Sequence, residues 1–350
     1  MPQSKLTEQR NHTIDTIKLI ASFFVICIHT KTTSAVDLFE QGSFSFVIDN
    51  IARFAVPFFF AAGGYFINFG NSGKLLKRLL TVAIIYAQWS FIFIWIRSAN
   101  ELEYPSFLFS GNRETNGIMN TIYKMIFYGY ERHLWFFPAY IIAALLIAGT
   151  RKHLWLLTLL AASCYAAGLT GQQFKIIYPS QVSFLPEPTY DWLQRTYFTR
   201  SGMFFAFPCM TVGYLVKQFS HHLERVSLPI FTAAIIGLFS LQYFECVTMM
   251  NRHNIPASDY YATTIFLVAA ILVVAAKSKR EKPLIRNAGK LAGGVYVMHP
   301  LFMYFFFINY KELFNHELWP YLFTPMLFIL SLVSTMIVSK IPVVRKMIMA

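Results

Sequence analysis

The chain has 350 residues, of which 56% are hydrophobic, 17% aromatic and only 13% charged, where an ordinary globular domain is roughly a quarter charged. That composition excludes a disordered chain, a coiled coil and a disulfide-stapled secreted module, and it argues against a large soluble enzyme. The formal net charge is +13, but the basic residues sit in short loops between apolar blocks rather than on one soluble face, so no nucleic-acid partner is expected.

The apolar residues come in blocks of about 17–22, the length of a bilayer-spanning helix, which predicts an all-α polytopic membrane protein. In chain order ten candidate spans cover about 13–33, 44–69, 79–96, 133–149, 154–169, 201–217, 228–248, 260–276, 291–309 and 320–340. The whole of 1–350 reads as a single integral-membrane domain with no appended soluble domain. The first block lacks a signal-peptide cleavage pattern, and Lys18 and His29 interrupt its apolar run. The stretch 118–127 is amphipathic and is predicted to lie along the membrane surface. Cys27, Cys164, Cys209 and Cys246 all fall in apolar blocks without a CxxC pair, so they read as small buried hydrophobes; no metal site is expected.

Orientation follows from the loops. With a cytoplasmic N-terminus, the cytoplasmic segments hold 18 basic and 3 acidic residues, and the opposite side 10 basic and 11 acidic. That is the positive-inside pattern, with both termini cytoplasmic. The run Lys277–Lys290 carries much of the excess.

Ionisable groups in hydrocarbon cost at least a few kcal/mol each, so those inside the spans need a reason. In the first span Lys18 and His29 are eleven residues apart. A helix places them within about 20° of one face and roughly 16.5 Å apart along the axis. Asp15 and Ser22 share that face, forming a polar stripe that must meet protein or a watered cavity. In the second span Asp49 and Arg53 are four apart and suit an ion pair. Pro57 withholds the N–H that would bond the Arg53 carbonyl, predicting a kink there, and Gly63-Gly64 permits close helix approach. His133 opens the fourth span beside Trp135, Glu245 lies one turn from Gln242, and His299 precedes Pro300 in mid-span. Each of these reads equally as a packing hydrogen bond or as a functional group.

A basic residue, ten intervening residues and a histidine in the first span resemble the signature of the integral-membrane acyltransferase family 3, predominantly bacterial acyl- and mostly acetyltransferases. The resemblance continues through Arg53-Phe54-Ala55-Val56-Pro57-Phe58-Phe59-Phe60, Gly64-Tyr65, His133-Leu134-Trp135-Phe136-Phe137 and Gly294-Val295-Tyr296-Val297-Met298-His299. Two positions depart from the family pattern: Lys18 replaces the usual arginine, losing its bidentate fork, and Gly63 replaces a serine. The resemblance implies a multi-pass protein of the bacterial inner (plasma) membrane, in contact with membrane lipid and with no tightly bound cofactor. It would take acetyl-CoA on the cytoplasmic side as donor and a hydroxyl of a surface glycan or lipid-linked saccharide as acceptor. It further implies His29 as general base and Arg53 as donor to the oxyanion. Lys18, Asp15 and Tyr65 would lie toward acetyl-CoA, and His133, Trp135, Glu245 and His299 toward the acceptor. Buried charges and a proline-kinked helix also suit a solute path, so a small-solute transporter is the competing expectation.

Overall fold

The computed structural model describes residues 11–30, 43–99, 129–131, 133–177, 202–253, 258–278, 282–316 and 318–342, together with Met125, Arg345 and Ile348. Its longer helices are α1 (His12–Thr30), α2 (Phe44–Ala52), α3 (Ala55–Phe66), α4 (Ser72–Ala99), α5 (Phe136–Thr150) and α6 (Leu154–Ile177). A π-helical turn, Gly202–Ala206, leads into α7 (Phe207–Gln218), followed by the short α8 (Ser220–Glu224), α9 (Leu228–His253) and α10 (Thr264–Lys277). Then come α11 (Ala288–Asn309), a 3-10 turn at Lys311–Asn315, and α12 (Trp319–Val338). No strand occurs among the described residues.

Each of the ten predicted blocks overlaps a helix. Six helical stretches are long and apolar enough to cross a membrane by length and composition: α1, α2 with α3, α4, α9, α11 and most of α12. Phe136–Thr150, Leu154–Leu169 and Thr264–Lys277 are shorter apolar helices. The predicted amphipathic stretch 118–127 lies outside the described residues apart from Met125.

Local chemistry explains where elements begin and break. Asn11 Oδ1 accepts from the N–H groups of Thr13 and Ile14 at 3.0 Å each, capping α1. Its Nδ2 donates 3.1 Å to the carbonyl of Ala275, so the cap also ties α1 to the last turn of α10. The second span breaks into α2 and α3 at Arg53-Phe54. Pro57 sits in the first turn of α3, where a helix needs no N–H, and the carbonyl it leaves without an i+4 donor is that of Arg53. The predicted kink is thus a two-residue interruption on the carbonyl side of the proline, at which both residues keep right-handed helical dihedrals.

Two packing contacts set the centre of the molecule. A Cβ on Gly64 would lie 1.9 Å from the Met210 carbonyl oxygen, and one on Gly213 would lie 1.7 Å from that of Ala61. Backbones of α3 and α7 thus touch, with glycine on both sides, which is how membrane helices gain dispersion contacts in the absence of water. α1 and α11 run parallel: Asp15 abuts Gly289 near their starts, and His29 meets His299 farther along. α12 returns antiparallel, with Thr30 bonded to Thr324 and Gly294 against Thr335. Across the most apolar window of the α2–α3 stretch 61% of residues are buried, against 11% for α9, so the former is central and the latter peripheral. Outward side chains such as Phe91, Trp155 and Phe244 give the apolar surface that lipid contact requires.

Candidate active site

Three histidines that lie far apart in sequence come together. The rings of His29 (α1) and His299 (α11) have centroids 5.2 Å apart, and those of His133 and His299 are 5.9 Å apart. His133 belongs to the turn that enters α5. That turn is possible because Gly129 adopts φ 77°, where a Cβ would strike the backbone nitrogen of Trp135 at 2.5 Å. The Tyr296 hydroxyl donates to the His133 carbonyl and so ties α11 to the same turn. His299 and His133 are buried, at 0% and 3% exposure, whereas His29 is only partly covered.

The protonation pattern of His299 is readable. Its Nδ1 lies 3.2 Å from the Val295 carbonyl oxygen. A carbonyl only accepts, so Nδ1 carries hydrogen, and in the neutral ring Nε2 keeps the lone pair. The Nε2 atoms of His299 and of His133 are both buried without a hydrogen-bond partner among the described residues. Leaving a buried polar atom unmatched costs about 1–3 kcal/mol. Two such atoms lie on adjacent imidazoles, and that of His299, an acceptor, suits a group with a hydrogen to donate, such as a hydroxyl.

Beside this cluster lies a second one. Arg97, near the end of α4, donates through Nε to Glu131 and through Nη2 to the Tyr304 hydroxyl, while that hydroxyl donates to Glu131 Oε2 at 3.1 Å. Phe93 links the two groups, with centroids 4.9 Å from His133 and 6.0 Å from Tyr304. Sequence reasoning named none of Arg97, Glu131 and Tyr304 as site residues. They fall on a long polar connection and a late span, and only their convergence singles them out.

The other expected residues divide. Asp15 and Lys18 are together, with Nζ 3.8 Å from Oδ1, and Lys18 also lies 4.6 Å over the ring of Phe66, which is itself 5.2 Å from the ring of Tyr65. Asp15, Lys18, Phe66 and Tyr65 thus form one local group toward the beginning of α1, separate from the histidines. Trp135 packs on Phe60 and Phe205, with centroids 5.8 and 5.9 Å away.

Arg53 bonds Asp49 through both Nε and Nη2, the latter at 2.7–2.8 Å, and reaches Asp259 through Nη1 at 2.8 Å. All three of its nitrogens therefore face carboxylates. The expected ion pair is present, and Asp259 is an additional partner that no local pattern could reveal, being 206 residues away.

Glu245 stands apart from the histidines. It accepts from the backbone of Ala262 at 2.7 Å and Thr263 at 3.3 Å and from the Thr263 hydroxyl at 3.0 Å, where α10 begins. A carboxylate at a helix N-terminus satisfies otherwise orphaned N–H groups and meets the positive end of the dipole. Gln242, one turn away, joins Asn50 to Thr264 by a buried network.

A family model described as an acyltransferase domain matches residues 11–342. Among curated proteins, the chain is 26% identical over 307 residues to a protein of Enterococcus faecalis named "Amino-acid racemase", covering 84% of this chain and 41% of that protein. It is also 26% identical over 310 residues to the "Serine/alanine racemase" of Enterococcus gallinarum, covering 83% of this chain and 40% of that relative. The chain thus spans about two fifths of the length of these relatives. No solved structure matches it.

Proposed function

We propose, since this chain belongs to the family of acyltransferase domains, that it is a membrane O-acyltransferase. It would move an acetyl group from cytoplasmic acetyl-CoA to a hydroxyl of a cell-surface glycan or glycolipid, with His29 as general base. The observation that carries this reading is the meeting of His29, His133 and His299 at one partly buried point, because histidine is the side chain most readily poised to exchange a proton near neutral pH.

In this reading the acceptor oxygen attacks the thioester carbonyl as its proton passes to His29. The C–S bond then breaks, and the proton on His29 neutralises the departing coenzyme A thiolate. Lys18, with Asp15 and Tyr65, lies toward the acetyl-CoA phosphates, about three helical turns from His29, a span a pantetheine arm can bridge. His133, Trp135 and His299 lie toward the acceptor. The fork of Arg53 is taken up by Asp49 and Asp259, so Arg53 serves to hold the α2–α3 break in shape, and the oxyanion is steadied by a different donor. The capping bonds of Glu245 support a structural role in place of acceptor binding.

The test is acetyl-CoA turnover in proteoliposomes supplied with lipid-linked saccharides, with mass spectrometry of the saccharide for an added acetyl group. Wild type should transfer, and H29A should lose transfer by about 10²–10⁴-fold while remaining folded. Full transfer by H29A would overturn the base assignment.

A second reading, a transporter of small amino-acid-like solutes, rests on the buried charges Arg53, Asp49 and Asp259 beside the interrupted second span, and the relatives' names point only to amino acids as the solute class. Serine accumulation without release of coenzyme A would favour it.

A further inference from the structure

We infer that Glu131 is a positioning residue for His133: with Arg97 and Tyr304 it pins the turn before α5 between α4 and α11, and so sets where the His133 ring stands against that of His299. This rests on the acyltransferase reading for its purpose, while the pinning itself rests on contacts in the structure. Glu131 is buried, at 4% exposure, and both of its carboxylate oxygens are engaged. Oε1 accepts from Arg97 Nε, and Oε2 accepts from the Tyr304 hydroxyl at 3.1 Å. Arg97 Nη2 donates to that same hydroxyl and closes the triangle. A carboxylate held by both oxygens, from two helices, is fixed in direction as well as in distance.

A turn has no ladder of backbone bonds to fix it in space, so the side chains that reach it decide where it lies. From α4 come Tyr86, whose hydroxyl accepts the Tyr130 N–H at 3.2 Å, Phe93, whose ring is 4.9 Å from that of His133, and Arg97. Helical spacing puts these three within about 40° of one another on one face of α4, over roughly 16.5 Å of its axis. From α11 come Tyr296, bonded to the His133 carbonyl, and Tyr304, bonded to Glu131, with His299 between them in sequence. The turn is thus fastened at two points to the helix that carries His299. The ring of His133 follows the turn, 5.9 Å from that of His299 and 6.2 Å from that of Tyr296. Its Nε2, without a hydrogen-bond partner among the described residues, is left for the acceptor. Glu131 itself bonds Arg97 and Tyr304 and no histidine among the described residues, so it acts through the turn and not on the reacting atoms.

The pinning is tested without any substrate. Ring-proton cross-peaks between histidines, measured by NMR on the full chain in detergent with all but histidine deuterated, read both spacings in one spectrum. Signals of His29, His133 and His299 are assigned from their absence in H29Q, H133Q and H299Q. Wild type should show the His29–His299 and the His133–His299 cross-peaks; absence of the latter would overturn the proposal. Y304F removes one bond to Glu131 without leaving a charge unpaired. It should largely lose the His133–His299 cross-peak and keep the His29–His299 one, and E131A that remains folded should do the same. An unchanged His133–His299 cross-peak in Y304F would overturn the proposal. Equal loss of both cross-peaks in Y304F would do so too, since the triangle would then support the bundle and not the turn. In the transfer assay Y304F should lower kcat with KM for acetyl-CoA unchanged, whereas a raised KM for acetyl-CoA alone would place Glu131 with the donor and overturn the assignment. Because the spectra need neither acetyl-CoA nor saccharide, failure of the acyltransferase reading and failure of this pinning give separate results.

Discussion

At the scale of single residues, the buried ionisable groups divide into those whose polar atoms are matched and those whose atoms are not. Arg53 is matched completely, by Asp49 and Asp259. Removing one member of a buried pair leaves the other uncompensated, at about 3–5 kcal/mol, so R53A should strongly lower the thermal midpoint in detergent. R53K should recover little, because an ammonium cannot reproduce contacts made through three separate nitrogens. Glu245 is matched by the N–H groups of Ala262 and Thr263 just before α10, and E245A should cost about 0.5–2 kcal/mol of stability. Acetyl transfer by the surviving folded protein should be unchanged; a fall in transfer without a fall in stability would return Glu245 to the acceptor. His133 and His299, with orphaned Nε2 atoms, are the unmatched class, and there loss of activity should exceed loss of stability.

At the scale of elements, glycine decides which helices touch. The ridge of α3 meets that of α7 where Gly64 faces Met210 and Gly213 faces Ala61. A methyl at either glycine must push a backbone carbonyl away, and backbone yields less readily than a side chain. G213A should therefore cost 1–3 kcal/mol or more, about the penalty of overpacking a core, and lower the thermal midpoint accordingly. Gly289 differs, since its hypothetical Cβ meets the carboxylate of Asp15 at 2.0 Å. G289A should displace that carboxylate and with it the Asp15–Lys18 contact, raising KM for acetyl-CoA more than it changes kcat. The sequence revealed the glycine pair and the proline, because each alters local sterics whatever surrounds it. It placed a kink at the proline, whereas the helix is interrupted three to four residues earlier, at Arg53-Phe54.

At the scale of the whole molecule, the parallel helices α1 and α11, backed by the antiparallel α12, form one side of the histidine site. The turn before α5 closes another. The loop charges predict both termini on the cytoplasmic side, and reporter fusions at residues 1 and 350 should report that side for both. Acetyl-CoA should then support transfer only when supplied on the side of the termini. Transfer with acetyl-CoA confined to the other side would invert the proposed donor path.

Hydropathy and charge act locally: a block of twenty apolar residues must be helical in lipid, and a charge inside it must find a partner, whatever the rest of the chain does. For that reason the amino-acid sequence by itself determined the all-α membrane character, the helical blocks, the Asp49–Arg53 pair and the candidacy of His29, His133 and His299. Partnership is not local. The contacts His29–His299, Arg53–Asp259, Arg97–Glu131–Tyr304 and Glu245 with the start of α10 join residues separated by 17 to 270 positions, and no periodicity records them. Only the tertiary structure decided that Glu245 caps a helix, that Arg53 is fully engaged and that three histidines share one site. The reason is that helix packing, fixed by small residues and close backbone approach, chooses which of many buried polar groups stand within reach of one another.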